Sequence, residues 1–345
     1  MDLEGFVVKS LREMGIEKPT EVQDKLIPRI LQGQDSIACA KTGSGKTLAY
    51  MLPMVSQLKE QQSIAGIRAL ILVPTRELAL QTGNVTKKLL KYSNMKYSLI
   101  IGGHDYTGQF ESLVSNPDII VATPGRLLEM VLATQFSFKS LKYLVLDEAD
   151  QLMEAQYKEQ VYQLISRLNK DRVTVLLSAT IPESLKEFSV IGMREYSLVR
   201  LTTEYQLSQD LELHALETQT ELKPALLLDL IRNHIPSDEQ AIVFVASKYQ
   251  VDFLELLLNE MLGLKTSFLY SKMDQEQRGY HLENFRSKKN QFLVVTDLCA
   301  RGIDIPNVGF VINYDFPATL KTLVHRCGRT ARAGRTGISY CFFNP

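Results

Sequence analysis

The stretch Ala40-Lys41-Thr42-Gly43-Ser44-Gly45-Lys46-Thr47 decides how the first half of the chain folds. An apolar run at 37–39 precedes it and predicts a buried strand, and the segment 48–58 after it predicts a helix. The two glycines allow backbone N–H groups to turn inward, and the helix dipole adds positive charge at the same point. A strand, a glycine turn and a helix N-terminus in this order predict a cradle for phosphate.

Two residues of this phosphate loop have predicted tasks. Lys46 can reach the β- and γ-phosphates of a nucleotide, and the Thr47 hydroxyl can ligate Mg²⁺. The first glycine of the common pattern G-x-x-x-x-G-K-[ST] is replaced by Ala40. The alternative, a solvated glycine turn with an unrelated lysine, does not account for the flanking strand and helix. The loop alone predicts nucleoside triphosphate binding and little more.

The composition predicts an ordinary globular protein rather than a polycation. With 345 residues the chain can form two domains that each have a core. Lys+Arg and Asp+Glu both number 39, so binding of nucleic acid needs a local groove rather than global charge. The four cysteines form no C-x-x-C pair, which argues against zinc and disulfides and predicts a reducing compartment. Residues 1–4 begin neither the basic nor the apolar region of a signal peptide, so we expect no signal peptide. No apolar run approaches the roughly 18 residues of a membrane span.

After the phosphate loop, short apolar strands alternate with helical stretches. Near-continuous apolar runs of this length indicate a parallel sheet covered on both faces. The expected strands are 69–73, 98–101, 119–122, 143–146 and 173–177. Each is followed at once by polar or glycine-containing residues. Because the carboxyl ends of parallel strands line the ligand crevice, we expect these five clusters to meet at one edge of the sheet.

The segment 201–212 interrupts this alternation and predicts a short, partly ordered linker, since it is not rich in glycine or serine. The pattern then restarts without a phosphate loop. We expect strands at 241–245, 266–269, 292–296, 310–313 and 338–343, and helices at 248–262, 275–286 and 319–326. The fold class is therefore predicted as α/β, with two parallel-sheet domains in tandem at 1–205 and 206–345.

Two helices are predicted before the phosphate loop, and the second begins at Thr20. The run Thr20-Glu21-Val22-Gln23 fits a capping box, in which Gln23 bonds back to the helix N-cap. The other interpretation makes Gln23 a two-sided hydrogen-bond reader of adenine, with Phe6 stacked on the base. The spacing alone leaves both interpretations open.

Asp147 and Glu148 follow the strand predicted at 143–146. A carboxylate there can hold Mg²⁺ through water opposite Thr47, and Glu148 can polarise the attacking water as general base. The alternative is a pair of solvated carboxylates that stabilise a helix N-terminus. The phosphate loop upstream favours the catalytic interpretation.

The second half contains three arginines at tight spacing in the run 325–332. Arginine is suited to bidentate phosphate contact, and one donated from a second domain can act as an arginine finger. The alternative is a basic surface turn. Asp304 comes after a buried strand and could reach a ribose hydroxyl. The runs Lys87, Lys88 and Lys91 and Arg286, Lys288 and Lys289 are interpreted as solvated faces.

Together these motifs resemble the DEAD-box RNA helicase family, over essentially the whole length and in the order of the family. Residues 15–23 with Phe6 resemble its adenine-reading Q motif, and residues 40–47 resemble its first motif, in which alanine leads. Residues 147–150 spell the motif that names the family, and residues 178–180 resemble its coupling motif. The resemblance implies ATP contacts from Phe6, Lys18, Gln23, Ala40, Thr42, Gly43, Ser44, Gly45, Lys46, Thr47 and Asp304.

The resemblance also implies an RNA-binding set and a catalytic set. The RNA-binding residues would be Pro74, Thr75, Arg76, Gly102, Gly103, Thr123, Pro124, Arg126, Arg278 and Thr296. The catalytic residues would be Lys46, Asp147, Glu148, His325, Arg329 and Arg332, with Arg329 and Arg332 as the arginine fingers. Thr47 and Asp147 would hold the metal, and Ser178, Thr180 and Arg326 would couple ATP to RNA.

Some positions depart from the commoner family pattern. Cys327 stands where an aliphatic residue is usual and Ala331 where glycine is common, but both are small enough to keep the turn. The run 151–157 also differs. By eye, the segments 238–251, 273–275 and 331–336 are more similar to members that act in large ribosomal subunit assembly.

The resemblance implies two RecA-like domains with ATP and Mg²⁺ as cofactors. RNA-stimulated ATP hydrolysis would drive local duplex unwinding or ribonucleoprotein remodelling in ribosome biogenesis. The partners would be single-stranded or short duplex RNA held by its backbone, and ribonucleoprotein or pre-ribosomal proteins. Contacts to the 2′-OH would favour RNA over DNA. The protein would be a monomer without membrane contact, nuclear or nucleolar in a eukaryote and otherwise cytoplasmic.

Two alternative functions stay open at this point. One is an ATP-gated RNA clamp or scaffold in which unwinding is incidental. The other is a DNA-directed helicase of the wider superfamily, against which the Q motif and the spelling of residues 147–150 argue.

Overall fold

A computed structural model of the chain describes residues 3–40, 43–61, 66–134, 137–178, 191–201, 207–270, 273–300, 308–331 and 335–344. The chain divides into two compact units, Met1–Glu204 and Tyr205–Pro345. Each unit contains one sheet, and all paired strands described in both sheets are parallel. The predicted α/β class with two parallel sheets in tandem is therefore confirmed.

The described residues of the first unit form seven strands. They are β1 Asp35–Cys39, β2 Ala69–Leu72, β3 Tyr97–Ile100, β4 Ile119–Ala122, β5 Tyr143–Asp147, β6 Val173–Ser178 and β7 Tyr196–Arg200. Their order across the sheet is β3-β4-β2-β5-β6-β1-β7. The helices are Gly5–Glu13, Glu21–Leu31, Lys46–Leu58, Arg76–Leu89, Tyr106–Val114, Pro124–Thr134, Ala149–Leu152 and Ala155–Ile165, with a 3-10 turn at Leu90–Tyr92.

Both faces of this sheet are buried under helices. Along β2, Leu70 packs into the core on one face of the sheet and Ile71 into the core on the other. Along β5, Leu144 and Val145 alternate in the same way. This two-sided burial is the reason that the strands are nearly continuous apolar runs in the sequence.

In the second unit, six strands lie within the residues that the structure describes. They are β8 Leu211–Glu217, β9 Ala241–Val245, β10 Thr266–Leu269, β11 Phe292–Thr296, β12 Phe310–Asn313 and β13 Gly337–Phe343. Their order is β10-β11-β9-β12-β13-β8. The helices are Lys223–Asn233, Lys248–Glu255, Gln275–Arg286, Asp297–Ala300 and Leu320–Cys327, with a 3-10 turn at Thr220–Leu222 and a π-helix at Leu256–Met261. Among the helices of the described ranges, none is both long and apolar enough to cross a membrane.

Three elements differ from the predictions. Strands β7 and β8 were not expected, and β8 begins at residue 211, so the predicted linker 201–212 is wrong at its C-terminal end. Both strands lie at an edge of a sheet and are partly exposed, so they lack the continuous apolar run of a central strand. The helix expected at 248–262 is α-helical only to Glu255 and continues as a π-helix, because apolar spacing does not report the backbone hydrogen-bond pattern.

A buried ion pair, not predicted from the sequence, joins several segments of the first unit. Arg68 is 1% exposed, and its Nε donates to Asp118 Oδ1 at 3.0 Å. The same guanidinium donates to the carbonyl oxygens of Leu58 at 2.8 Å and Glu60 at 2.5 Å. Asp118 Oδ2 accepts from the Lys96 N–H at 2.9 Å. The pair thus fixes the end of the helix Lys46–Leu58 against the starts of β2, β3 and β4.

Replacing Asp118 by alanine should lower the free energy of unfolding of the first unit by about 3–5 kcal/mol, because it leaves the Arg68 charge buried without its partner. Chemical denaturation of the full chain measures this. Glu13→Ala serves as control, since Glu13 pairs with Lys91 at the exposed surface and should matter little. Equal denaturation midpoints for the two variants would contradict the structural role of Arg68.

Candidate functional site

The strand order of the first sheet separates the predicted site residues into two neighbouring groups. Strands β5, β6 and β1 are adjacent. β5 ends at Asp147, β6 ends at Ser178, and β1 leads into the phosphate loop. Strands β3, β4 and β2 are also adjacent and lead into residues 102–103, 123–126 and 74–76. Because all of these strands run parallel, both groups lie at the same edge of the sheet.

The phosphate loop has the backbone that its glycines predict. Gly43 and Gly45 adopt φ of 81° and 90°, in the left-handed region, and Gly45 is the N-cap of the helix Lys46–Leu58. A Cβ at Gly45 would lie 2.6 Å from Gln23 Nε2 and 2.9 Å from Thr20 Oγ1. Position 45 therefore requires glycine both for its backbone conformation and for this close approach.

The polar groups of the loop fit an anionic ligand. Lys46 Nζ donates to the Ala40 carbonyl oxygen at 2.7 Å, and the Ala40 N–H donates to the Ser178 carbonyl oxygen at 3.1 Å. Ser44 Oγ is buried and has no hydrogen-bond partner within the part of the chain that the structure describes. A cation, a hydroxyl with an unused donor and the first N–H groups of a helix form a set that can hold phosphate.

Gln23 makes the capping contact that the sequence predicts and also a contact with the phosphate loop. Its Oε1 accepts from the Thr20 N–H at 3.0 Å, which completes the capping box, and its Nε2 donates to the Gly45 carbonyl oxygen at 3.0 Å. Gln23 therefore caps its own helix and also holds the phosphate loop. Phe6 is partly buried and packs against the hydrophobic core that contains Ile71 and Val145, whereas Lys18 is exposed. Reading of adenine by Gln23 stays a prediction.

Asp147 is the last residue of β5 and is only 3% exposed. Its Oδ1 accepts from the Glu148 N–H at 3.0 Å, and its Oδ2 accepts from the Tyr50 hydroxyl at 3.2 Å. Burial raises the pKa of the Asp147 carboxyl, whereas the nearby Lys46 charge lowers it. Together with the Thr47 hydroxyl, this carboxylate provides the oxygen ligands that Mg²⁺ prefers.

Glu148 has a strained backbone, with φ of 51° in the left-handed region. It is the N-cap of the helix Ala149–Leu152 but makes no capping hydrogen bond with its side chain. Instead its Oε2 accepts from Gln151 Nε2 at 2.7 Å. A left-handed conformation costs a non-glycine residue about 1–2 kcal/mol. Such strain is frequent at functional sites, and the helix-capping alternative does not explain it.

In the second group, Arg76 lies against the Gly102-Gly103 pair. A Cβ at Gly103 would fall 2.3 Å from Arg76 Nη1, so glycine leaves the space that the guanidinium occupies. Thr75 Oγ1 accepts from the Leu78 N–H at 3.3 Å and caps the helix Arg76–Leu89. Arg76 itself is exposed at the edge of the sheet, which is where a phosphate backbone could reach it.

Arg126 is held by neighbours from the adjacent strand end. Its Nη1 donates to the His104 carbonyl oxygen at 3.3 Å, its Nε lies 3.1 Å from Glu129 Oε2, and its guanidinium lies 5.4 Å from the centre of the Tyr106 ring. The Thr123 N–H donates to the Ile100 carbonyl oxygen at 3.0 Å. Both prolines of this group, Pro74 and Pro124, are buried.

Comparison with known proteins identifies the family. The DEAD/DEAH box helicase model matches residues 20–188, and the model of the helicase conserved C-terminal domain matches residues 222–334. A crystal structure of a DEAD box protein from Methanococcus jannaschii is 32% identical, with a TM-score of 0.56, over 100% of this chain and 92% of that chain. This chain belongs to the DEAD-box helicase family.

Two further similar proteins are an RNA-bound structure and a helicase. Saccharomyces cerevisiae Dbp5 bound to RNA and ADP BeF3 has a TM-score of 0.88 and 28% identity, over 100% of this chain and 88% of that chain. The ATP-dependent RNA helicase DDX54 of Mus musculus is 44% identical over 346 residues, which is 100% of this chain. The chain spans only 39% of the length of that relative.

In the second unit of this DEAD-box chain, Arg326 is the centre of a buried network. Its Nε and Nη2 donate to the Asp297 carboxylate at 2.6 and 2.7 Å. Its Nη1 donates to Asn313 Oδ1 at 3.2 Å and to the Asp315 carbonyl oxygen at 2.6 Å. These contacts all lie within the second unit, and the coupling role of Arg326 stays a prediction.

The other predicted residues of the second unit that the structure describes are Arg329, His325, Arg278 and Thr296. Arg329 is buried, and its Nη2 donates to the Ala300 carbonyl oxygen at 2.9 Å. His325 is on the last turn of the helix Leu320–Cys327. Arg278 Nη2 donates to the Tyr270 carbonyl oxygen at 3.3 Å, and Thr296 is the last residue of β11.

The two departures from the family pattern have local explanations. Cys327 is buried with its Sγ 3.3 Å from Ser339 Oγ, and burial raises the pKa of its thiol to about 11. Ala331 adopts φ of 52°, in the left-handed region. This conformation gives a physical reason for the common glycine at that position, since glycine adopts it without steric cost.

Four predicted site residues lie outside the described residues. They are Thr42, Thr180, Asp304 and Arg332. Conversely, sequence reasoning missed Tyr50, which contacts Asp147. The available signal was a single hydroxyl within the otherwise apolar run 48–55 of the helix Lys46–Leu58, three residues after Thr47.

Replacing Gln23 by alanine should weaken ATP binding, because the variant loses the contact with the phosphate loop. If Gln23 also reads adenine, the variant should lose its preference for ATP over GTP. The matched control is Gln250→Ala, since Gln250 closes a second capping box with Ser247 in the other unit. Both variants should lose stability on the order of 1 kcal/mol, the usual worth of a helix cap. Calorimetric titration with each nucleotide and thermal melting measure these effects. Unchanged ATP binding by Gln23→Ala would show that its contact with the phosphate loop does not support nucleotide binding. Equal binding of GTP and ATP by the native protein would contradict reading of adenine by Gln23.

Proposed function

We propose that this chain is an ATP-dependent RNA helicase, in which RNA-stimulated ATP hydrolysis drives local duplex unwinding or ribonucleoprotein remodelling. The observation that carries the proposal is the strand order of the first sheet. It brings a phosphate-binding group at β5, β6 and β1 next to an arginine- and glycine-containing group at β3, β4 and β2. The similarity to Dbp5 bound to RNA and ADP BeF3 and to the helicase DDX54 supports the same activity.

Within this proposal, the phosphate-binding group holds ATP. Lys46 exchanges the Ala40 carbonyl oxygen for a phosphate oxygen, and Ser44 Oγ gains a partner for its unused donor. Thr47 and Asp147 would hold Mg²⁺, which neutralises charge on the phosphates when it is bound. Glu148 lies beside Asp147 and orients the attacking water as general base. Arg329 and Arg332 are assigned to the transferred phosphate through the family resemblance.

The second group is proposed to grip the RNA backbone. Arg76 and Arg126 supply guanidinium groups for bidentate phosphate contact. Gly102 and Gly103 leave the backbone open to close approach. Contacts to phosphate and sugar carry little sequence information, so the site should accept many RNA sequences. A monomer is sufficient for this function.

The finer proposal assigns the RNA to ribosome assembly, with pre-ribosomal proteins as partners and a nuclear or nucleolar location. Its support is the resemblance of residues 238–251, 273–275 and 331–336 to family members of that branch, together with the 44% identity to DDX54. Crosslinking of bound RNA in cells, followed by sequencing, tests this assignment. Recovery of mainly messenger RNA would contradict it.

The activity is tested by ATP hydrolysis measured with single-stranded RNA, with single-stranded DNA of the same sequence and without nucleic acid. We expect stimulation by RNA and little by DNA. Equal stimulation by both would favour a DNA-directed helicase. Unwinding of a short RNA duplex, compared with the lifetime of the RNA complex in a slowly hydrolysed ATP analogue, separates a helicase from a clamp.

Replacing Glu148 by glutamine should slow hydrolysis by about 10²- to 10⁴-fold, the usual contribution of a general base. ATP binding should survive, because Lys46, Thr47 and Asp147 are unchanged. If release of RNA waits on hydrolysis, this variant should hold RNA longer in the presence of ATP than the native protein does. Lys46→Ala should instead lose ATP binding and the ATP-dependent grip on RNA together.

RNA dissociation after addition of ATP is measured side by side for these two variants. Equally fast release from both would show that Glu148 is not simply the base and that hydrolysis does not gate release.

A further inference from the structure

Tyr50 lies inside the candidate site although none of the motifs includes it. It belongs to the helix Lys46–Leu58, which begins in the phosphate loop, and is three residues after Thr47. Residues three apart in a helix share a face. Tyr50 is therefore on the same side of the helix as Thr47, and its side chain is 0% exposed.

The phenol must act as a hydrogen-bond donor at this position. A tyrosine hydroxyl carries its proton at neutral pH, and an ionised carboxylate can only accept a hydrogen bond. The Tyr50 hydroxyl oxygen lies 3.2 Å from Asp147 Oδ2.

Asp147 is thereby held at both carboxylate oxygens. The Glu148 N–H binds Oδ1 and the Tyr50 hydroxyl binds Oδ2. A carboxylate offers about four lone-pair sites, so two donors fix the plane of the group and still leave acceptor sites for a further ligand. The donor on Oδ1 comes from the backbone and is present whatever the side chain. The donor on Oδ2 depends on a single hydroxyl.

We propose that Tyr50 is a positioning residue that orients the Asp147 carboxylate toward a divalent cation opposite Thr47. The inference rests on the proposed function, since it assumes that Asp147 and Thr47 hold Mg²⁺ with the nucleotide. Tyr50 itself contacts neither metal nor phosphate. It acts as an outer hydrogen-bond partner of a metal ligand, a class of contact whose removal commonly lowers metal affinity by about 10- to 100-fold.

The alternative is a purely structural role, in which the Tyr50 hydroxyl bonds to Asp147 only because the ring is buried and its oxygen needs a hydrogen-bond partner. The chain offers a matched control for this alternative. Tyr143 is at the opposite end of β5 from Asp147, is also buried, and its hydroxyl donates to Gln57 Oε1. Tyr50→Phe and Tyr143→Phe each remove one buried phenol oxygen and keep the ring, but only the first touches Asp147.

The experiment measures binding of a fluorescent ADP analogue to the full chain while Mg²⁺ is titrated, so that no turnover is needed. For Tyr50→Phe, we expect the Mg²⁺ concentration at half-saturation to rise about 10-fold or more, with binding in excess EDTA unchanged. Tyr143→Phe should keep the native Mg²⁺ dependence. Thermal melting of both variants checks that each is folded.

The outcomes separate this inference from the proposed function. Native protein that binds the analogue without any Mg²⁺ dependence would contradict the metal assignment itself. Native protein with clear Mg²⁺ dependence and a Tyr50→Phe variant that matches it would overturn the role of Tyr50 alone. An equal loss in Tyr50→Phe and Tyr143→Phe would also overturn it, because the effect would then follow from removal of any buried phenol oxygen.

Discussion

Parallel pairing of β5, β6 and β1 is the constraint on which the candidate site depends. The register places Cys39 beside Ser178 and Leu177 beside Asp147. Segments far apart in the sequence therefore end at the same edge, within reach of one ligand. The Ala40 N–H continues the ladder by donating to the Ser178 carbonyl oxygen, so the phosphate loop leaves the sheet at a fixed point. A shift of this register would separate Asp147 from Lys46 and Thr47.

Buried polar contacts then hold the groups that leave the sheet edge. Gln23 links the second helix to the phosphate loop, Tyr50 links the third helix to β5, and Arg68 fixes the far end of that same helix. Each is nearly inaccessible to solvent, where an unsatisfied polar group costs about 1–3 kcal/mol. The helix Lys46–Leu58 is thus fixed at both ends. Its N-terminus can present a preorganised set of donors to a phosphate because the helix is held by these contacts.

The second unit uses the same principle without a phosphate loop. Arg326 joins Asp297 after β11, Asn313 at the end of β12 and the backbone of Asp315, so one guanidinium fixes the ends of two strands and the helix that carries it. His325 and Arg329 lie one residue before and three residues after Arg326, so the same network supports the backbone that carries them. The buried Cys327 and the left-handed Ala331 show that the turn tolerates substitution where the backbone conformation is kept.

The sequence by itself determined the two parallel sheets, the phosphate loop and the strand-end motifs. Central strands buried on both faces must be apolar throughout, and a phosphate loop needs its glycines, so both leave a local pattern. The edge strands β7 and β8 leave a weaker pattern because half of their residues face solvent. Only the tertiary structure revealed that Tyr50 contacts Asp147 and that Arg68 pairs with Asp118. It also showed that Gln23 reaches Gly45. These contacts join residues distant in sequence, and their geometry follows from the order of strands across the sheet, which no local pattern of residue types encodes.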